Sequence, residues 1–267
     1  MKETNTEENK IAAELHQINN SIKKSTSTAM SGTTKLILSA ALIGLCAFAG
    51  AYTGVRVSGG AGKAAAGFVD PDKIFGGRAI SQNEVLYGKA DAKVVFLNYS
   101  DTECPYCKAF HEDGFKKLRE SYKDNKDVAI VYRHFPLSFH TLAPKESEAS
   151  LCVRDQLGVT GYEAFLNSVY ANTKSNNGLD PSMLPKLASL VSGVNLDTFN
   201  TCLSTGKFTQ QVADDTADGV AAGVTGTPHS IIMIKTDSGY QILARIEGAR
   251  DFNYIDKVLK QAIAMTK

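Results

Sequence analysis

The sequence predicts an α/β fold in which a small mixed β-sheet is split by a run of short helices and preceded by an apolar segment of membrane-spanning length. Three observations point there. From Lys93 to Tyr99 the chain is β-branched and aromatic over strand length; a turn and a helix follow, then a second apolar run from Val128 to Arg133, which makes a β-α-β unit. Far downstream, Ser230 to Ile234 and Gln241 to Ile246 read as two more strands about a turn at Asp237-Ser238-Gly239, with a closing helix from Phe252 to Met265. Between these halves, from about residue 142 to 222, helix starts and stops come close together.

Composition supports a folded chain and narrows its partners. With 267 residues, 43% hydrophobic and 21% charged, the chain can bury one sizeable core or two modest ones, which excludes disorder and fibrous repeats. Basic and acidic residues number 29 and 28, so no global positive field exists for phosphate neutralisation, and no nucleic-acid partner is expected. Five cysteines are too few for a disulfide-stapled miniature scaffold, so their placement carries the information.

Residues 1–35 are polar, with Ile11, Leu15, Ile18 and Ile22 forming a single short helical stripe. From Leu36 to Val55 there are 20 residues without a charge, enough at ~1.5 Å per residue to span a hydrocarbon layer of ~30 Å. Lys23, Lys24 and Lys35 precede this run against Arg56 and Lys63 after it, a modest bias that leaves the N-terminus in the cytoplasm. An uncleaved anchor in a cytoplasmic (inner) membrane is therefore expected, with the folded domain that follows extracytoplasmic or periplasmic. A cleaved signal at Ala47-Phe48-Ala49 and lipidation at Cys46 are the alternatives. Residues 56–80, rich in Gly and Ala, read as a flexible linker, and the folded domain is expected over 81–267.

The chemistry lies in Cys104-Pro105-Tyr106-Cys107, which follows the first strand and its Ser100-Asp101-Thr102 turn. Proline suits the first turn of a helix because its missing N–H would be unpaired there anyway, so Pro105 places Cys104 at the N-terminus of a helix running to about Tyr122. Free backbone N–H groups and the positive end of the helix dipole favour thiolate over thiol, lowering the pKa from ~8.5 into the range of roughly 3.5 to 7.5. Cys104 is then a nucleophile, and Cys107, one turn further in, is placed to resolve a mixed disulfide. Zinc is the competing use of paired cysteines, with His111 or His134 as further ligands. A second close cysteine pair is missing, however, and strand-turn-CxxC-helix is a redox context, so neither metal nor other cofactor is expected.

In the helical stretch, Gly158 closes one helix, Thr160-Gly161-Tyr162-Glu163 is a capping box, Asp180-Pro181 starts another helix, and Gly206 and Gly223 are further stops. Four or five short helices follow from this punctuation, together covering the face that carries the thiols.

The motifs resemble the DsbA-like thiol-disulfide oxidoreductases of the thioredoxin superfamily over roughly residues 80 to 267. Val94 to Cys107 looks like that family's active-site strand and motif, Arg133-His134-Phe135-Pro136-Leu137 like its second strand, and Val224-Thr225-Gly226-Thr227-Pro228 like its cis-proline loop. The resemblance implies a thioredoxin fold with an inserted α-helical domain, Cys104 as nucleophile, Cys107 as resolving thiol, and Pro228 in cis facing them. Thr227 would then offer its backbone to an extended substrate segment. His229 and Ser230 depart from the small or β-branched and apolar residues usual after that proline; His229 is expected as a solvent-facing loop residue, the alternative being that it lies near the thiolate and adds a favourable charge when protonated. Glu103 either caps the helix start or raises the thiol pKa by like-charge repulsion.

In an extracytoplasmic compartment Cys152 and Cys202 could form a structural disulfide, as some relatives bridge their helical domain; two separate buried thiols is the alternative. His134 and His140 invite a general-base reading, but thiolate exchange needs no such base, and no serine-centred motif accompanies them. The expected function is a membrane-anchored oxidase that passes its disulfide to secreted or envelope protein thiols. A membrane redox partner, either a quinone-linked oxidase or an electron-donating reductase, would reset the pair. An isomerase or reductase with the pair kept reduced, and a tethered chaperone or adaptor without catalysis, are the rivals.

Overall fold

The computed structural model describes residues 68–69, 78–237 and 239–267. The polar leader, the expected anchor at Leu36 to Val55 and Cys46 lie outside the described residues. Among the described residues no helix is long and apolar enough to cross a membrane.

Six strands form one mixed sheet: β1 (Phe68–Val69), β2 (Val85–Tyr87), β3 (Val94–Ser100), β4 (Val128–His134), β5 (His229–Thr236) and β6 (Gly239–Glu247), in the spatial order β1-β6-β5-β3-β4-β2. Strands β3 and β4 pair in parallel and every other pairing is antiparallel. Every residue of β3 and β4 is buried, which explains why both read as nearly continuous apolar runs rather than alternating ones. In the β3 to β4 register Ser100 stands opposite His134, and across β5 Tyr99 stands opposite His229, so three strand ends converge on one edge of the sheet. The chemistry is carried there.

Two short edge strands lie where the sequence offered no alternating pattern. β1 falls within the stretch expected to be a linker and pairs with β6 through Phe68 and Val69. β2 closes the other edge on β4, and Gly88 after it is needed for close approach: a Cβ there would lie 2.1 Å from the carbonyl oxygen of Val128.

The helix expected after the thiol motif is present but interrupted. It runs as α1 (Pro105–Phe110), a π-helical turn over His111–Phe115 and α2 (Lys116–Tyr122). Gly114 sits in that turn with the carbonyl oxygen of Arg250 2.8 Å from where a Cβ would be, so the glycine lets the loop before the last helix come close. That helix, α7 (Phe252–Met265), is capped by Asp251 accepting from the Tyr254 N–H at 3.0 Å.

The insertion comprises α3 (Ala143–Asn172), a 3-10 turn at Pro181–Met183, α4 (Leu184–Ser189), α5 (Leu196–Ser204) and α6 (Thr209–Ala221). Gly158 breaks α3 with φ 65° and ψ −153°, where the sequence expects a helix stop, but the chain resumes helix at once. Asp180 and Asn195 cap the two starts that follow, each accepting a backbone N–H at 2.9 Å. The insertion has a core of its own, built from Val153, Phe165, Val169, Leu184, Leu187 and Phe199. Across that core Cys152 of α3 is disulfide-bonded to Cys202 of α5, with 5.9 Å between their Cα atoms. The sheet has a second core centred on Val95, Leu97, Val131, Ile231 and Met233. Helix α6 lies against this side: a Cβ on Gly219 would fall 2.5 Å from the Phe135 ring. Beneath it, fully buried Arg133 pairs with Glu84 and Asp218, joining β4 to β2 and α6.

Candidate active site

The two thiols stand at the end of β3. Cys104 is the residue before α1, with extended backbone (φ −80°, ψ 123°), and Pro105 opens the helix. The Cys104 N–H donates to the Asp101 carbonyl at 3.3 Å, and the Lys108 N–H donates to the Cys104 carbonyl at 3.0 Å, fixing the turn from both sides. Both cysteines are free thiols.

Their environments differ. The Cys104 thiol donates to the Thr227 carbonyl at 3.4 Å, across the cis Thr227–Pro228 peptide. A hydrogen bond from Cys107 to its sulfur lowers its pKa most; burial opposes this, and the Thr227 side chain with the backbone N–H groups of Cys107 and Tyr106 brings the thiol down to about 6. Cys107 is pushed well above the ordinary thiol range, first by burial and then by its hydrogen bond to Cys104 and the charge there. The Asp101 N–H donates to the Cys107 sulfur at 3.4 Å. One sulfur of the pair is therefore charged near neutrality and the other protonated.

Tyr106 projects outward at 67% exposure, and Phe139 stands exposed on the loop after β4. His229 is not a solvent-facing loop residue: it begins β5, is 3% exposed, and burial lowers its pKa, so it stays neutral near pH 7 and adds no positive charge beside the thiolate. The expectation failed because the chain enters β5 directly after Pro228, burying the first side chain. Glu103 does not cap α1. Its carboxylate turns into the insertion, where it accepts from the Thr173 hydroxyl at 3.0 Å and from the Gly178 and Leu179 N–H groups at 2.9 and 3.1 Å.

His134 and His140 are both buried. His134 meets the hydroxyls of Ser150 and Tyr162 at 3.1 and 3.0 Å, and burial lowers its pKa to about 3. His111 faces Asn167 at 2.7 Å and stacks on Tyr170. Among the described residues no three His, Cys, Asp or Glu side chains are grouped to hold a metal ion.

Several site residues were not legible beforehand. Asp101, read only as part of a turn, is the centre of the loop structure. Its carboxylate accepts from the Glu103 and Leu137 N–H groups, each at 2.7 Å, and lies 2.8 Å from His140 Nδ1, whose ring reaches Asn176 at 3.3 Å. Burial outweighs these bonds and leaves the Asp101 pKa raised. The segment Ser175-Asn176-Asn177 holds three successive left-handed conformations, with φ 63°, 53° and 66°. Asn is the side chain most tolerant of that region after glycine, so the Asn176-Asn177-Gly178 run was the available signal. The Asn176 N–H donates to the Glu103 carbonyl at 2.8 Å, and the Asn177 side chain holds the Phe139 carbonyl and the Leu142 N–H.

A cavity of about 860 Å³ lies away from the thiols, beside β2, and includes Arg78, Glu84, Tyr87, Arg154 and Asp214 in its lining; none of the thiol-site residues borders it.

Residues 81–238 match the thioredoxin family. A Rickettsia bellii protein named as a protein-disulfide oxidoreductase is 26% identical over 167 residues, covering 61% of this chain and 62% of that protein. Disulfide bond formation protein D of Bacillus subtilis is 27% identical over 161 residues, covering 59% of this chain and 70% of that protein. Matches to the first curated relatives span 62% and 59% of those proteins' lengths. Among solved structures, alpha-DsbA1 of Wolbachia pipientis aligns with a TM-score of 0.56 at 26% identity, over 68% of this chain and 93% of that one. Oxidised BdbD of Bacillus subtilis aligns with a TM-score of 0.56 at 22% identity, over 74% and 98%.

Proposed function

The chain belongs to the thioredoxin family, in its DsbA-like group, and from that premise we propose that it is a thiol-disulfide oxidoreductase acting through Cys104 and Cys107. The observation that carries the reading is the split between the two sulfurs: Cys104 with its pKa lowered to about 6 at a helix N-terminus, and buried Cys107 raised far above it.

The split serves exchange in a definite order. With Cys104 and Cys107 joined, a substrate thiolate attacks the Cys104 sulfur; a substrate–Cys104 disulfide forms, the Cys104–Cys107 bond breaks, and Cys107 takes up a proton. A second substrate thiolate then attacks the substrate sulfur of that mixed disulfide and expels Cys104 as thiolate. The substrate dithiol loses two electrons, and the protein pair gains them. Low thiol pKa makes Cys104 the better leaving group, which favours donation of the disulfide. In reverse, Cys104 thiolate attacks a substrate disulfide and Cys107 resolves. The carbonyl of Thr227, 3.4 Å from the Cys104 sulfur, is available to an extended substrate strand once that thiol is engaged.

The oxidase direction is our reading, with secreted or envelope protein thiols as substrates, residues 36–55 as the membrane anchor, the domain outside the cytoplasm, and a quinone-linked membrane oxidase to restore the disulfide. The Cys152–Cys202 disulfide supports the location, because structural disulfides persist in oxidising compartments. The deciding measurement is the reduction potential of the Cys104/Cys107 pair against glutathione buffers. A value near roughly −120 mV supports the oxidase, and one near roughly −270 mV overturns it in favour of a reductase.

A further inference from the structure

Two acidic side chains, one of them on the residue before the nucleophile, are buried and joined by a hydrogen bond. Glu103 is 0% and Glu146 is 1% exposed. From residues 173–179 Glu103 takes three donors, the Thr173 hydroxyl and the Gly178 and Leu179 N–H groups. Glu146, on the first turn of α3, is the opposite case, since neither of its carboxyl oxygens meets a hydrogen-bond donor in normal geometry. The Thr102 hydroxyl is the one donor that favours its charged form, too little against burial, so Glu146 is held as the neutral acid. Its O–H has the Glu103 carboxylate to point at.

We propose that Glu103 and Glu146 hold one proton between them and are positioning residues for Cys104: the charge stays on Glu103, where it fastens residues 173–179 to the turn carrying the nucleophile, and the proton stays on Glu146. The pKa directions agree. Burial pushes Glu146 up to about 9, with Glu103 adding to the rise. Burial also pushes Glu103 up, but the hydrogen bonds from Glu146, Gly178, Thr173 and Leu179 outweigh it and leave the group lowered. The surrounding charged or titratable groups are Asp101 with His140, Cys104 itself, and Lys108, whose ammonium donates to the Thr173 carbonyl at 2.9 Å.

The arrangement explains why three left-handed residues are tolerated at 175–177: the carbonyl of Glu103 holds the backbone within them at Asn176, and its carboxylate holds the backbone after them at Gly178. It also places one buried negative charge, not two, beside a sulfur that must itself become negative.

The inference deepens the exchange reading by naming what tunes its nucleophile, and its tests use no exchange assay, so the two fail separately. In the full-length reduced protein, the Cys104 titration is followed by thiolate absorbance and the Gly178 and Leu179 amides by hydrogen exchange. Glu103→Gln removes the charge: the Cys104 acid dissociation constant should rise about threefold or more, and exchange at both amides should quicken about tenfold. Glu146→Gln replaces neutral by neutral and should move the titration by less than about twofold. A Glu146→Gln shift as large as that of Glu103→Gln would show charge on Glu146 and overturn the proposal, as would unchanged amide exchange in Glu103→Gln. Should Glu103→Gln fail to fold, Glu103→Asp keeps the charge and withdraws its reach; the two amides should still be freed, and their continued protection overturns the latch.

Discussion

Cys104 and Cys107 stand three positions apart at a helix N-terminus and are free thiols, whereas Cys152 and Cys202 stand 50 residues apart within the helical insertion and are joined. The first pair is surrounded by groups that distinguish one sulfur from the other: backbone N–H groups and Thr227 on Cys104, deep burial on Cys107. The second pair lies in the apolar core of the insertion, with Ala149, Phe165, Leu187 and Phe199, and its sulfurs are bonded to each other. On the exchange reading, reactivity rests on asymmetry around a close pair. The distant pair instead adds a cross-link within an apolar core.

Breaking the comparison at its reactive end gives the largest effect. Cys104→Ser should lower thiol-disulfide exchange about 10³-fold or more, measured by oxidation of a dithiol peptide, with the Cys152–Cys202 bond still formed. Activity surviving this change would return the chain to the adaptor reading. At the structural end, Cys152→Ala with Cys202→Ala should cost about 4 kcal/mol in denaturant unfolding on the chain-entropy account. The Cys104 titration midpoint should remain at about 6; a large shift would mean that the two pairs are coupled through the insertion.

A third experiment sharpens the asymmetry itself. Above pH of about 6 the reduced pair holds one proton, on Cys107; below it Cys104 is protonated as well. The reduction potential should thus fall by about 30 mV per pH unit above that point and by about 59 mV per unit below it. A single slope across pH 5 to 8, a window bracketing about 6, would contradict the split. The smallest effect belongs to Tyr106→Ala, which truncates a side chain 67% exposed between the two thiols. Stability should change by no more than about 0.5 kcal/mol, since the backbone N–H that faces Cys104 is retained.

What the sequence disclosed follows the same division between local and long-range causes. The strand before the thiols, the first-turn proline, the two strands after Pro228 and the closing helix were legible because each is specified by neighbours along the chain. β1 and β2 were not, since strands of two and three residues have no period to detect and exist only because β6 and β4 offer edges. The π-helical turn at His111–Phe115 was hidden for a similar reason: the tight contact at Gly114 comes from the carbonyl of Arg250, far along the chain. His229 was misjudged because its burial depends on β3 and β6 flanking it, and nothing local to Pro228-His229 announces two neighbours. Glu103 was visible as a charge beside a thiol, but the direction of its side chain is set by a loop 70 to 76 residues downstream.

The cysteine order along the chain matters for how the protein is made. Cys104 and Cys107 emerge together, then Cys152, then Cys202, so among the described cysteines the thiol pair and the disulfide pair each consist of cysteines that follow one another along the chain. An oxidant that joins cysteines as they leave the ribosome and cross a membrane would thus close the reactive pair before Cys152 arrives. It would close the structural pair next, and no shuffling step would be required. β5, which completes the sheet beside β3, is synthesised only after both.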